Sequence, residues 1–321
     1  MKITSLMTST NVLGNIQSNL QQVNKTSNML AANTKILIAQ DDPSGAIRAM
    51  GLRTESSEVT QYKRNIDAVN AVLTETDSSL GLVTSTLNSI RELTVKASTS
   101  TNSQSSLDAI ADEINQQIEG LVDAANTKVG GKYIFGGYST QEAPFKFYTG
   151  RNDDLTDNED LTTIKGELRS DINLDNVTVV KYSGDGGNLA AEISPNVSIN
   201  YTVSGKEVFA DTKLFETLVN VRDSILKGDY TAVQNSIGDV DEIIDTTLRT
   251  RAKVGAIMNR ADNAADRLVD KSYSVTKLLS ETEDIDVAKA SIALASQKAS
   301  YNSSLSVGAD LLQASLLDYL K

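Results

Sequence analysis

The sequence predicts a mainly α fold: long antiparallel helices, coiled-coil-like helices at both ends, and a small β-rich domain inserted between the helical halves. Three observations predict it. Apolar residues recur at alternating three- and four-residue steps over most of the chain, the spacing that draws a narrow seam down a helix. The pattern lapses in one stretch, where glycines crowd and short alternating runs take over. Bulk is scarce, with aromatics at 5% of 321 residues and no tryptophan, which suits slender helical layers better than a large pocketed core.

The first segment runs to about Gln40, with Leu13, Ile16, Leu20, Val23, Leu30 and Leu37 on the seam and Ser27 and Thr34 filling the missed turns. Half of such a seam is polar or small, so the segment is a poor folding unit alone and wants a partner helix. Asp41-Asp42-Pro43-Ser44-Gly45 then breaks it. Pro43 disfavours helix at Asp42, while Asp42 and Pro43 suit the N-cap and first position of a new helix.

The strongest periodicity follows: Val59, Tyr62, Ile66, Val69, Leu73, Thr76, Leu80, Val83, Leu87, Ile90, Thr94 and Ala97 keep the alternation without a slip. A polar turn from Ser98 to Ser106 leads to a returning helix with Leu107, Ile110, Ile114, Ile118, Leu121 and Ala125 on one face, which makes an antiparallel hairpin. From Val129 the texture changes. Gly130-Gly131, Gly136-Gly137 and Gly186-Gly187 mark turns, and Val177–Val180 and Val197–Val203 read as strands. Leu214, Leu218, Val221 and Ile225 then form a short helix ending near Gly228. Ile237, Val240, Ile244, Val254, Met258, Ala261, Ala265, Leu268, Val275 and Leu279 line a long one, with Thr247, Arg251 and Ser272 as polar misses. The last segment begins near Thr282, its seam read as Asn302, Leu305, Ala309, Leu312, Leu316 and Tyr319, with Leu320 beyond.

Charge and composition exclude several functions. A formal charge of −12 and no Lys/Arg cluster argue against nucleic acid or anionic lipid. No apolar run is long enough to span a membrane, and the polar first twenty residues lack the apolar core of a secretory signal peptide. The absence of cysteine removes disulfides and thiolate chemistry, and the absence of histidine removes the commonest general base and metal ligand. The one dense acidic patch, Asp153, Asp154, Asp157, Glu159 and Asp160, lacks the ligand spacing and central glycine of a calcium loop and reads as a solvated loop. Arg91-Glu92 reads as a solvated or intrahelical charge pair. No enzyme, cofactor or metal site is expected.

Several stretches carry a resemblance. Asp41-Asp42-Pro43-Ser44-Gly45-Ala46 and Ile90-Arg91-Glu92-Leu93-Thr94-Val95-Lys96-Ala97 resemble the bacterial flagellin family. Gln61-Tyr62-Lys63-Arg64-Asn65-Ile66-Asp67, the run from Ala125 through Gly131-Lys132-Tyr133-Ile134-Phe135-Gly136-Gly137-Tyr138, and Ala143-Pro144-Phe145 are similar to its hook-associated protein 3 branch. The resemblance implies a three-level organisation: residues 1–40 with 282–321 as a terminal coiled-coil assembly domain, 41–142 with 210–281 as a helical rod, and 143–209 as a β-rich variable outer domain. It implies a structural flagellar protein at the hook–filament junction. Its expected partners are further copies of itself in a ring, hook-associated protein 1, flagellin, and an export chaperone covering the C-terminal segment, with passage through the flagellar export channel. The residues expected to bear assembly are Leu13, Ile16, Leu20, Val23, Leu30, Leu37, Leu305, Leu312, Leu316, Tyr319 and Leu320, with Arg91, Glu92 and Leu93 as a further contact on the rod. The alternatives are a filament flagellin, and a flagellin-like carrier of a glycan-binding or hydrolytic outer domain.

Overall fold

The computed structural model describes the backbone of residues 2–150 and 177–319; side chains at the two chain ends and around the tip of the first long β-pair lie outside that description. Among the described residues six α-helices dominate: α1 (Lys2–Ala32), α2 (Pro43–Ala97), α3 (Gln104–Ala125), α4 (Leu214–Leu226), α5 (Tyr230–Glu283) and α6 (Val287–Tyr319). The described strands, β1 (Lys128–Val129), β2 (Lys132–Tyr133), β3 (Phe145–Gly150), β4 (Val177–Tyr182), β5 (Ala190–Ser194) and β6 (Val197–Asn200), are short and form three separate antiparallel pairs. The chain divides into two units, residues 1–60 with 269–321 and residues 61–268. The predicted breaks at Asp41–Gly45 and near Thr282 both fall within the first of these.

The helix limits follow from local chemistry. α1 ends at Ala32, not at Gln40, because Asn33 takes a left-handed φ of 55°. The Asn33 and Thr34 amides then bond back to the Leu30 and Met29 carbonyls at 3.3 and 3.1 Å, closing a Schellman motif. Gly228 ends α4 in the same way, with a φ of 67°. α2 starts with Pro43 in its first position and Asp42 as its cap, the Asp42 carboxylate accepting from the Gly45 amide at 2.9 Å. Asp229 and Asp286 cap α5 and α6 alike, accepting from the Ala232 and Lys289 amides, both at 3.0 Å.

The middle unit holds the main core. Ile66, Val69, Leu73, Leu80, Val83, Leu87 and Ile90 of α2 are buried, as are Leu107, Ile110, Ile114, Ile118 and Leu121 of α3 and Leu214, Leu218, Val221 and Ile225 of α4. The predicted seam of α2 is therefore correct throughout, with Tyr62 alone half-exposed. Polar seam positions satisfy themselves locally: the Thr76, Thr94 and Thr247 hydroxyls donate to the carbonyl four residues back. α2 and α5 run antiparallel, tied by Asn70 to Asp262 and Asp77 to Arg251. α3 and α4 are likewise antiparallel, joined by Gln104 to the Leu226 carbonyl and Asn115 to the buried Arg222.

The β segments attach through aromatic rings. Phe135, Phe145, Phe209 and Phe215 pack with centroids 5.2 to 5.9 Å apart, and the Tyr182 ring lies tilted against Phe145 at 5.0 Å. Asn126, just past α3, clamps the Phe145 backbone with both ends of its amide, at 2.8 and 3.0 Å. Gly205 passes so close that a Cβ would sit 2.7 Å from the Phe135 carbonyl oxygen. The expected slender layers hold for the helices, but the few aromatics are concentrated here. Gly130 and Gly131, at φ 58° and 80°, supply the two left-handed positions of the β1–β2 turn, and Pro195-Asn196 turns β5 into β6 with Asn196 at 60°. The acidic cluster from Asp153 to Asp160 lies outside the described residues.

Candidate assembly interface

Within the terminal unit α1 and α6 lie antiparallel. The Asn19 amide donates to the Ser304 hydroxyl at 2.7 Å, and Gly308 sits where an added Cβ would be 3.1 Å from Ile16 and 3.3 Å from Val12. The less exposed positions of α1 are Ser9, Val12, Ile16, Asn19, Val23, Thr26, Met29 and Leu30; those of α6 are Ala290, Leu294, Gln297, Tyr301, Ser304 and Gly308. Both sets keep the three-four alternation, and both are rich in polar or small residues. This is the seam by which the chain closes on itself.

It is not the predicted seam. Ile16, Val23 and Leu30 do belong to it, but Leu13 and Leu20 are 51% and 39% exposed and Leu305 is 42% exposed. On α6 the expected Asn302, Leu305 and Ala309 are each one residue past the internal positions Tyr301, Ser304 and Gly308. The cause is a doubled stripe: Val12-Leu13, Asn19-Leu20, Ser304-Leu305 and Gly308-Ala309 each place two seam candidates side by side, and the larger residue faces outward. Leu37 drops out of the helix altogether. It lies in the loop after Asn33, where its amide donates to the Asp41 carboxylate at 3.2 Å. Leu320 lies outside the described residues, as do the side chains of Leu312, Leu316 and Tyr319 on α6. A cleft of about 230 Å³ lined by Val12, Asn15, Ser303, Ser304 and Val307 runs beside the internal seam.

Below the helical pair a polar node closes the unit. Thr34 bridges to Asp284, the Lys35 amide donates to the Glu283 carbonyl at 2.7 Å, and Arg53 pairs with Glu283 at 2.7 Å. Asp41 accepts from Lys25 at 2.6 Å and from the Leu37 and Ile38 amides. The Lys25 contact, helped by those amides, holds the Asp41 carboxyl below its usual range. The Gly45 amide and the Ser44 hydroxyl do the same for Asp42, and the Lys289 amide and ammonium for Asp286.

In the middle unit Arg91 is not the solvated or intrahelical partner of Glu92. Its guanidinium spans to the Asp241 carboxylate of α5, a bidentate contact that raises its already high pKa. Glu92 is exposed and Leu93 half-buried. Among the described residues no cluster of acidic side chains could hold a metal ion, and no helix is long and apolar enough to cross a membrane.

Comparison with known proteins agrees with this architecture. The bacterial flagellin N-terminal helical region matches residues 3–140, and the bacterial flagellin C-terminal helical region matches residues 237–320. The chain belongs to the bacterial flagellin family. A flagellin of Shigella flexneri is 31% identical over 195 residues, 60% of this chain but 34% of that protein, so the flagellin-family chain spans about a third of such a relative. Flagellar hook-associated protein 3 of Escherichia coli K12 is 22% identical over 298 residues and 88% of each chain. The solved structure of a putative flagellar hook-associated protein from Vibrio parahaemolyticus superposes with a TM-score of 0.63 at 15% identity, over 76% of this chain and 100% of that one. Both matched regions are helical, and here they span α1, α2 and α3 on one side of the strand-bearing stretch and most of α5 with α6 on the other.

Proposed function

We propose that the chain is the junction subunit between hook-associated protein 1 and the flagellin filament, arranged as a ring of its own copies. The observation that supports this most directly is the outward strip of Leu13, Leu20 and Leu305 beside a polar internal seam. Water-facing leucines on a weakly paired helix hairpin are stabilised once neighbouring subunits cover them, so ordering of the ends is coupled to assembly. Leu312, Leu316, Tyr319 and Leu320 continue the strip in sequence, and an export chaperone would cover the same segment before passage through the flagellar channel. The length match to hook-associated protein 3 favours the junction over the filament; the higher identity to flagellins keeps a filament subunit as the second reading.

Fluorescently tagged chain in flagellated cells tests the two. The junction reading expects one focus at the hook–filament boundary, and signal along the filament would overturn it in favour of a filament subunit.

A further inference from the structure

Among the described residues three side-chain amide oxygens are buried without a hydrogen-bond donor: those of Asn70, Gln117 and Gln297. Asn70 and Gln117 each spend their NH₂ group on a partner, Asp262 and Ser89. Gln297 makes no side-chain hydrogen bond to any described residue. It lies two helical turns before Ser304, on the side of α6 that meets α1, and so occupies a core position of the α1–α6 pair. An unsatisfied buried acceptor at a core position disfavours the folded pair directly, because in the open chain water solvates it. An apolar residue of the same length would fit the seam without that penalty.

We propose that Gln297 is a built-in brake on α1–α6 pairing, which keeps the terminal hairpin from closing stably within one subunit. This rests on the coupled-folding reading given under Proposed function and assigns its regulation to one residue. The seam around it is consistent with such tuning. Ala290 is the one buried apolar side chain of α6 among the described residues, and α1 has none. A single orphaned amide therefore weighs heavily against so small an apolar gain.

Hydrogen exchange on the full-length free subunit tests the proposal, comparing the wild type with Gln297→Met, which keeps the side-chain length and removes the polar atoms. A matched control, Ser300→Met, places the same side chain at an exposed position of α6. The proposal expects amide protection across Val12–Leu30 and Ala290–Gly308 to rise about tenfold or more in Gln297→Met and to stay at the wild-type level in Ser300→Met. Unchanged protection in Gln297→Met, or an equal rise in both variants, overturns it. Should the wild-type hairpin already be as protected as α2 and α3, the coupled-folding reading fails. The difference between the two variants still decides the role of Gln297.

Discussion

The two units of this chain are built from the same helical periodicity and use it in opposite ways. In the middle unit the three-four positions of α2, α3 and α4 carry Leu, Ile and Val, and those side chains are buried. In the terminal unit the buried apolar residues among those described are Ala49, Val59, Val275 and Ala290, while Met7, Leu13, Leu20, Ile38, Ile47, Met50, Ile292, Leu305 and Val307 face water. The difference shows that periodicity sets where a seam lies, whereas side-chain size decides whether one chain can close it. At about 25 cal/mol per Å² of buried apolar surface, a seam of Leu and Ile sustains itself and one of Ser, Asn and Gly does not. The middle unit carries its own apolar core. On the reading proposed above, neighbouring subunits complete the terminal unit.

The largest expected effect breaks that contrast on the terminal side. Leu13→Asp with Leu20→Asp places two charges on the outward strip and alters no position of the internal seam. The variant should leave the melting transition of the middle unit unchanged and should lose the ability to seat a filament, with filament protein released into the medium. Normal filaments on this variant would show that the strip is not the assembly surface.

A second substitution attacks the middle unit alone. Phe209 is fully buried against Phe135, Phe145 and Phe215. Phe209→Ala should destabilise the unit by about 3–5 kcal/mol, which for a body of this size lowers the melting temperature by about 2–4 °C per kcal/mol. Calorimetry on the purified subunit checks it. The same cluster bears on the β-rich domain read as 143–209: excising that span would remove Phe145, Tyr182 and Phe209 and strand Phe135 and Phe215.

How far the sequence could be read follows the same division. The seams of α2, α3 and α4 were legible because Leu, Ile and Val recur along them at three-four spacing and are buried. The seam of α1 and α6 was not, because adjacent candidates such as Val12-Leu13 leave the phase undetermined by one residue, and the hydrogen bond between Asn19 and Ser304 depends on residues 285 apart. Leu37 was misplaced because its spacing continues the pattern through Thr34, although Asn33 is a residue type that readily takes the left-handed conformation ending a helix. The Asp42-Pro43 cap was legible because its chemistry is entirely local. Arg91 could be noticed but not paired, since Asp241 lies 150 residues away.

A smaller effect sharpens the comparison from the middle unit. Arg251 holds the Asp77 carboxyl below its usual range, yet their side chains are 42% and 34% exposed, so solvent screens the pair. Asp77→Asn should cost at most about 1 kcal/mol, read as a shift of the calorimetric melting temperature, because the apolar seam beside it and not the charge carries the pairing of α2 with α5. A loss as large as that of Phe209→Ala would reverse that ranking.

The smallest expected effect concerns the capping aspartates of the terminal unit. Asp42 and Asp286 accept backbone amides at the starts of α2 and α6, and each is held below the ordinary value of 3.8. The folded state therefore binds fewer protons than the unfolded one just below that value. The stabilisation from each cap is complete above pH 3.8 and is lost as the pH falls through the depressed folded value. Protonation weakens the hydrogen bond each carboxylate accepts, so the Gly45 and Lys289 amide resonances should shift with midpoints below 3.8. Asp42→Asn and Asp286→Asn keep a capping oxygen and have no proton to gain, so each should abolish the titration at its own helix start while the helix remains. A midpoint at or above 3.8 in the wild type, or a titration that survives the asparagine, would mean that the helix starts are held by something other than these carboxylates.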